Sequence, residues 1–219
     1  MKDITAIIPV KGTSIRLEKK NILPFGDSNL LVHKIRQLKQ VSEISRIVVS
    51  SDSEEMLDMG LKENVEALQR PNEFANESRP FGEFIDYLCD NIQGEHFMYT
   101  CVTSPLADHE FYKKALDLYF ANLGNCDSLI TVLKMQIFLF DEKGPLNFQP
   151  GLKHTNSENL PILYHFTNSV NIAPKESMKK WHYNFGPNPY RMEIDKRTAT
   201  DIDDIYDYEI AKALLKVKV

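Results

Sequence analysis

Two stretches of this sequence hold side chains that could do chemistry together. Near the amino terminus, Lys11-Gly12-Thr13-Ser14-Ile15-Arg16-Leu17-Glu18-Lys19-Lys20-Asn21 concentrates basic residues, hydroxyls and a glycine in a chain whose formal net charge is -5. Near the carboxyl terminus, Asp201-Ile202-Asp203 sets two carboxylates two residues apart. A glycine lets backbone N–H groups approach an anion, Thr13 and Ser14 add donors, and Arg16 and Lys20 supply the positive charge that a polyphosphate needs. A triphosphate meets this description; so does a solvated basic loop with no ligand. In an extended chain residues i and i+2 point the same way, so Asp201 and Asp203 can converge on a hard divalent cation such as Mg2+, which takes oxygen ligands and keeps part of its water. The same acids could instead serve the helix that follows, because Asp204-x-x-Asp207 has capping spacing.

These stretches need a frame that brings them together. Apolar runs rich in β-branched residues alternate with helical periods, which is the rhythm of βαβ units and a mainly parallel sheet. The pattern predicts a strand at Ile4–Val10, a helix over 30–40, a strand over 47–51 and a helix begun by Ser53-Glu54-Glu55, with the Ser53 hydroxyl as N-cap. Helices follow over 80–91 and 108–121, strands over 96–102 and 128–133. A short strand over 199–203 then leads into a last helix over 204–217, with Ile205, Tyr208, Ala211 and Leu214 as its apolar stripe. Residues 134–190 break the rhythm with prolines, aromatics and the single Trp181, and read as an insertion or lid. The whole, 1–219, reads as one α/β domain, Rossmann-like and doubly wound. In such sheets ligands bind outside the carboxyl ends of the strands, where the first loop falls.

Composition narrows the function classes. The acidic balance and the absence of a long basic run disfavour nucleic acid as a partner. No apolar run is long enough for a signal peptide core or a membrane span, so a cytoplasmic protein with no membrane partner is expected. Cys89, Cys101 and Cys126 form no C-x-x-C pair, which fits reduced thiols. His154, His165 and His182 lack metal-ligand spacing. The first loop matches neither the dinucleotide fingerprint nor the P-loop. Thr103 and Ser104 end a buried strand at the crevice edge, where their hydroxyls could bind substrate or cap the next helix. Ser78 could donate to a nucleotide or cap the helix near Pro80.

Several pieces, in order, resemble one family. Ile7-Ile8-Pro9, Gly12, Ser14 and Lys20-Asn21 are similar to the opening of CMP-sialic acid synthetases, the acylneuraminate cytidylyltransferases; Ser14-x-Arg16-Leu17 is also similar to CMP-Kdo synthetases. The segment from Val48 to Glu55, Arg70-Pro71, Thr103-Ser104-Pro105-Leu106 and Asp201-Ile202-Asp203 continue the likeness along the chain. The resemblance implies a nucleotide-diphospho-sugar transferase fold with a small inserted dimerisation subdomain at about 134–190, and a homodimer. It also implies transfer of CMP from CTP to the anomeric hydroxyl of an acidic, eight- or nine-carbon ulosonic sugar, with Mg2+ as cofactor.

Carried onto this chain, the likeness puts Val10, Lys11, Gly12, Ser14, Arg16, Lys20, Asn21, Arg70 and Ser78 at the nucleotide, with Arg16 and Lys20 also stabilising the departing pyrophosphate. Cys101, Thr103, Ser104 and Asn168 fall at the sugar, and Asp201 and Asp203 at the metal. The chain departs from the family pattern at several of these places. Lys11 stands for Arg, Thr13 for a small residue, Cys101 for Gln, Ala107 for Arg, and Ser169 for Gly after Asn168. An altered acceptor, Kdo or a non-sugar acid, is therefore an open alternative, as is a nucleotide-binding homologue without turnover.

Overall fold

The computed structural model describes residues 2–14, 16–76 and 78–217. Its centre is a seven-stranded sheet. The strands are β1 (Ile4–Val10), β2 (Arg46–Ser51), β3 (Glu66–Gln69), β4 (His96–Thr100), β5 (Ser128–Met135), β6 (Leu163–Pro174) and β7 (Pro189–Ile194). Their spatial order is β7-β5-β6-β4-β1-β2-β3. The pairs β1/β2, β1/β4, β2/β3 and β5/β7 are parallel, whereas β6 runs antiparallel to both β4 and β5. The order reverses beside β1, and the crevice outside its carboxyl end is where an open α/β sheet binds ligands.

β1 is apolar on both faces because both are covered. Ala6, Ile8 and Val10 face one core with Leu30, Leu31, Ile35 and Leu38 of α1 (Leu30–Lys39), Met56 of α2 (Glu54–Lys62), Tyr112 and Ala115 of α3 (His109–Asn122), and Tyr208 and Ala211 of α4 (Ile205–Leu215). Ile7 faces the other, with Phe84, Ile85 and Leu88 of the helix Phe81–Asn91 and Met178 of the helix Lys175–Trp181. Each fully buried Leu or Ile contributes roughly 1.5–3 kcal/mol by leaving water. The two layers thus clamp the sheet and fix where its loops emerge. Asn29 caps α1 by accepting from the Val32 amide at 3.0 Å, and Asp108 caps α3 by accepting from Phe111 at 3.0 Å.

The structure corrects the sequence reading in four places. The segment 134–190 is not wholly an insertion: β6 lies in the middle of the sheet and β7 at its edge, the helix Lys175–Trp181 covers one face, and 136–162, with the small hairpin of Phe140–Asp141 and Gly144–Pro145, lies outside the sheet. Residues 199–203 form a turn and an extended segment, not a strand. Ser53 precedes α2 but its hydroxyl makes no capping bond. In α4, Tyr208 and Ala211 are buried as the stripe requires, but Ile205 is 48% exposed. β3 is an addition: its sequence Glu-Ala-Leu-Gln is too polar for the apolar pattern to show, as befits an edge strand.

Candidate active site

A cleft of about 590 Å³ opens at the carboxyl ends of β1 and β4. One wall comes from the loop after β1: Lys11, Thr13, Ser14, Arg16, Lys20 and Asn21. The other comes from Arg70, which follows β3, and from Tyr99, Cys101, Val102 and Thr103 at and beyond the end of β4. Two regions remote in sequence are therefore assembled by the sheet order alone. Ala75 and Asn76 close the rim.

The loop is braced from within. Asn21, 8% exposed, donates its side-chain amide to the Lys11 carbonyl at 2.8 Å. Gly12 donates its backbone amide to Asp52 Oδ1 at 2.8 Å, so that N–H serves the loop's attachment to the start of α2. Its lack of a side chain has a steric reason, because a Cβ there would meet the Ser53 Cβ at 3.0 Å. Val10 is buried in the core, and neither it nor Gly12 is among the residues that line the cleft. Arg70, 8% exposed, stacks its guanidinium 3.9 Å over the Phe84 ring and donates to the Phe74 carbonyl, which holds a buried cation at the cleft wall.

Asp201 and Asp203 are not among the residues that line this cleft; the start of α4 holds their segment beside Arg16, Lys20 and Thr103, which do line it. Asp204 accepts from the amides of Tyr206 at 2.8 Å and Asp207 at 3.0 Å, and Asp207 returns a bond to the Asp204 amide at 3.2 Å. Capping is thus done by Asp204 and Asp207, which leaves the preceding pair for other work. Ile202 is fully buried, so Asp201 and Asp203 flank it on the outer side, as alternation requires even without a strand. Asp203 Oδ1 accepts from Arg16 at 2.8 Å and Lys20 at 3.5 Å. The Asp201 carboxyl is pushed up from the usual carboxylate range, first by the protein surface around it and further by the charge of Asp203, against a hydrogen bond from Thr103 and the charge of Lys20. The Ile202 amide donates to the Thr103 carbonyl at 2.9 Å, tying this segment to the end of β4.

Not every expected residue lines the cleft. The Ser78 hydroxyl donates to the Glu73 carbonyl at 3.2 Å and lies outside it. Ser104 is 1% exposed and sits behind the wall, its hydroxyl without a partner. Asn168 lies behind Cys101, with its amide 3.8 Å from Sγ, and adopts a left-handed φ of 53° where the β5/β6 register shifts. Burial pushes the Cys101 thiol up to about 12, so it is a small neutral wall. Tyr99 and Asn76 of the lining went unforeseen; Tyr99 reads as core from its strand position, and Asn76 as loop.

A family model for cytidylyltransferases matches residues 5–209. The chain belongs to the cytidylyltransferase family. It is 28% identical over 221 residues to the N-acylneuraminate cytidylyltransferase of Escherichia coli O18:K1:H7, covering 98% of this chain but 52% of that protein. To the pseudaminic acid cytidylyltransferase of Campylobacter jejuni it is 24% identical over 235 residues, covering 99% of this chain and 97% of that one. The chain thus spans about half the length of the first relative and nearly all of the second. Among solved structures, a CMP:2-keto-3-deoxy-manno-octonic acid synthetase complexed with CTP superposes with a TM-score of 0.71 at 10% identity, covering 98% of both chains. A 4-diphosphocytidyl-2C-methyl-D-erythritol synthase from Anaerococcus prevotii gives 0.66 at 16% identity, covering 99% of both. These likenesses establish the nucleotidyltransferase fold. Among the described residues no helix is long and apolar enough to cross a membrane.

Proposed function

We propose that this member of the cytidylyltransferase family transfers CMP from CTP to a sialic-acid-like ulosonic acid, releasing pyrophosphate. The observation that carries the reading is the convergence of Arg16 and Lys20 on Asp203 at the mouth of the cleft, polyphosphate-binding cations beside a paired acid, in a chain of this family. The relatives named for acylneuraminic and pseudaminic acids support the acceptor class. In the reaction the anomeric hydroxyl oxygen bonds to the α-phosphorus of CTP while the bond from that phosphorus to the β-phosphate bridge breaks. Lys11, Arg16 and Lys20 meet the triphosphate and the developing charge on pyrophosphate, so positioning and electrostatics carry the acceleration.

The donor set fits Mg2+. Among the described residues no three His, Cys, Asp or Glu side chains form a metal cage, and two carboxylates, Asp201 and Asp203, suit the sparse sites in which magnesium takes the rest of its oxygens from phosphates and water. Bound there, Mg2+ supplies charge neutralisation at the attacked phosphate. Asp201 and Asp203 would hold it, and Arg16 and Lys20 would exchange their partner Asp203 for phosphate oxygens.

We further propose a homodimer in the cytoplasm. The arm 136–162 carries Phe140 at 65%, Leu146 at 58% and Leu152 at 109% exposure, apolar surface that suits a second copy. Light scattering on the wild type and on Phe140→Asp/Leu152→Asp checks this: a dimer that the double substitution dissociates is expected, and a wild-type monomer at working concentration ends the idea.

The decisive assay is pyrophosphate release from CTP and Mg2+ across sialic, legionaminic, pseudaminic and Kdo acids, with Asp201→Ala and Asp203→Ala alongside. Release that requires one acid and disappears in both variants is expected. Silence across the panel, or release indifferent to both substitutions, would overturn the assignment.

A further inference from the structure

Lys34 sits in the middle of α1, on the stripe of Leu30, Leu31, Ile35 and Leu38, and is 0% exposed. Its hydrogen-bond acceptors are neutral: Nζ donates to the Ser104 carbonyl at 2.8 Å and to the Tyr112 hydroxyl. Burying an ammonium group costs hydration that bonds to neutral oxygens return only in part, and burial holds its pKa down to about 7. A methionine would fill the same space without that cost. What the Lys34 ammonium does instead is hold parts of the fold together.

It holds two branches. Ser104 belongs to the link between β4 and α3, and one turn further along α1 the Gln37 amide donates to the next carbonyl, Pro105, at 2.8 Å. α1 therefore fastens two successive carbonyls of the link. Immediately before them Thr103 lines the cleft and receives the Ile202 amide, between Asp201 and Asp203, on its carbonyl. The second branch starts at Tyr112. Thr100 Oγ1 spends its one proton on the Ser169 carbonyl at 2.9 Å, so the Tyr112 hydroxyl, 3.0 Å from Thr100, must be the donor between them and can only accept from Lys34. Ser169 follows Asn168, whose left-handed backbone and contact with Cys101 form the back of the same wall. With the Ser169 carbonyl at one end and Lys34 at the other, every proton in this chain points one way.

We propose that Lys34 is a positioning residue for the acceptor side of the cleft: it keeps the end of β4 and the Asn168 bend in register with Asp201 and Asp203 while touching neither substrate. The inference rests on the cytidylyltransferase reading for its kinetic consequence, but not for its structural one. Its closest chemical alternative is a lysine that stabilises the fold and nothing more.

The test uses full-length Lys34→Met, Lys34→Gln and Tyr112→Phe. With the acid that the wild type accepts, Lys34→Met should raise the acceptor KM about tenfold or more and leave the KM for CTP within about twofold, since misplacement of a wall by a fraction of an ångström is felt by the group it orients. Lys34→Gln, which keeps one donor for Ser104, should fall between. The thermal midpoint of Lys34→Met should hold or rise. Amide hydrogen exchange over 100–106 and 166–171 should quicken in Lys34→Met while 30–39 stays protected. Unchanged acceptor KM and unchanged exchange in a folded Lys34→Met would overturn the proposal, as would a lowered midpoint with CTP and acceptor affected alike. Should the methionine variant fail to fold, Tyr112→Phe, which deletes one oxygen, is judged by the same readouts on 166–171. A wild type inactive on every acid would refute the function proposed above, and the exchange measurement, which needs no turnover, would still decide the role of Lys34.

Discussion

Asp203 faces two cations across a solvent-open gap: Arg16 is 65% exposed and Asp203 45%. Exposed ion pairs of this kind add only about 0–1 kcal/mol to stability, so the contact can be exchanged for a phosphate at little cost. Asp203→Asn should therefore leave urea stability within about 1 kcal/mol while cutting pyrophosphate release at least about a hundredfold, the pattern of a residue used for turnover and not for folding. Ser78→Ala should leave both unchanged, because its hydroxyl already serves the Glu73 carbonyl. The contrast between these two, read by the same assay, tests which of the residues expected at the site serve turnover. The charges at Arg16, Lys20 and Asp203 stand out against an acidic chain and do meet. Gly12 was legible as a required glycine but for a different reason: its amide is committed to Asp52 and its missing Cβ makes room for Ser53. Neither partner is a neighbour in sequence, so neither could be inferred from the loop's own composition.

At the level of elements, the strands that could be read were those buried on both faces. β1, β4 and β5 are runs of apolar residues with no competing helical period, and each was found within a residue or two. β6 was hidden because Thr167, Asn168, Ser169 and Asn171 interrupt its apolar pattern, and their side chains bond where the register shifts: Thr167 to Thr131, Ser169 to Thr167 and Asn171 to Asn168. A bulge both breaks the pairing and erases the periodicity that would reveal it. The link from the Asp201–Asp203 segment to α4 shows the opposite case, where spacing specified the cap. Asp204→Ala should lower unfolding free energy by about 1 kcal/mol, measured in urea, since it removes the acceptor of two first-turn amides. It should also slow turnover, because the start of α4 fixes the bend from which Asp203 faces Arg16.

Considered as one molecule, the protein hangs its cleft between two apolar layers and passes a lysine, Lys34, into the larger of them. A lysine at helical spacing among leucines reads in sequence as a side chain that snorkels to solvent, and only the packing of α1 under the link to α3 denies it that exit. The consequence reaches global stability. An unfolded lysine titrates near about 10.4, whereas Lys34 in the fold is held down to about 7 by burial, opposed by the nearby Cys101 and Asp108. Between those values the unfolded chain binds the extra proton, so folding stability gains with rising pH, by at most about 1.4 kcal/mol per pH unit from this group; below 7 both states are protonated and the penalty is present in full. Cys101 and Tyr112, both pushed up by burial, stay neutral through the lower part of this window and do not blur it. Urea unfolding of the wild type and Lys34→Met at pH 7 and pH 9 should therefore show the difference moving in the wild type's favour at the higher pH. A difference that stays constant would mean that the folded ammonium keeps its proton up to pH 9, as a lysine with an unshifted or raised pKa does.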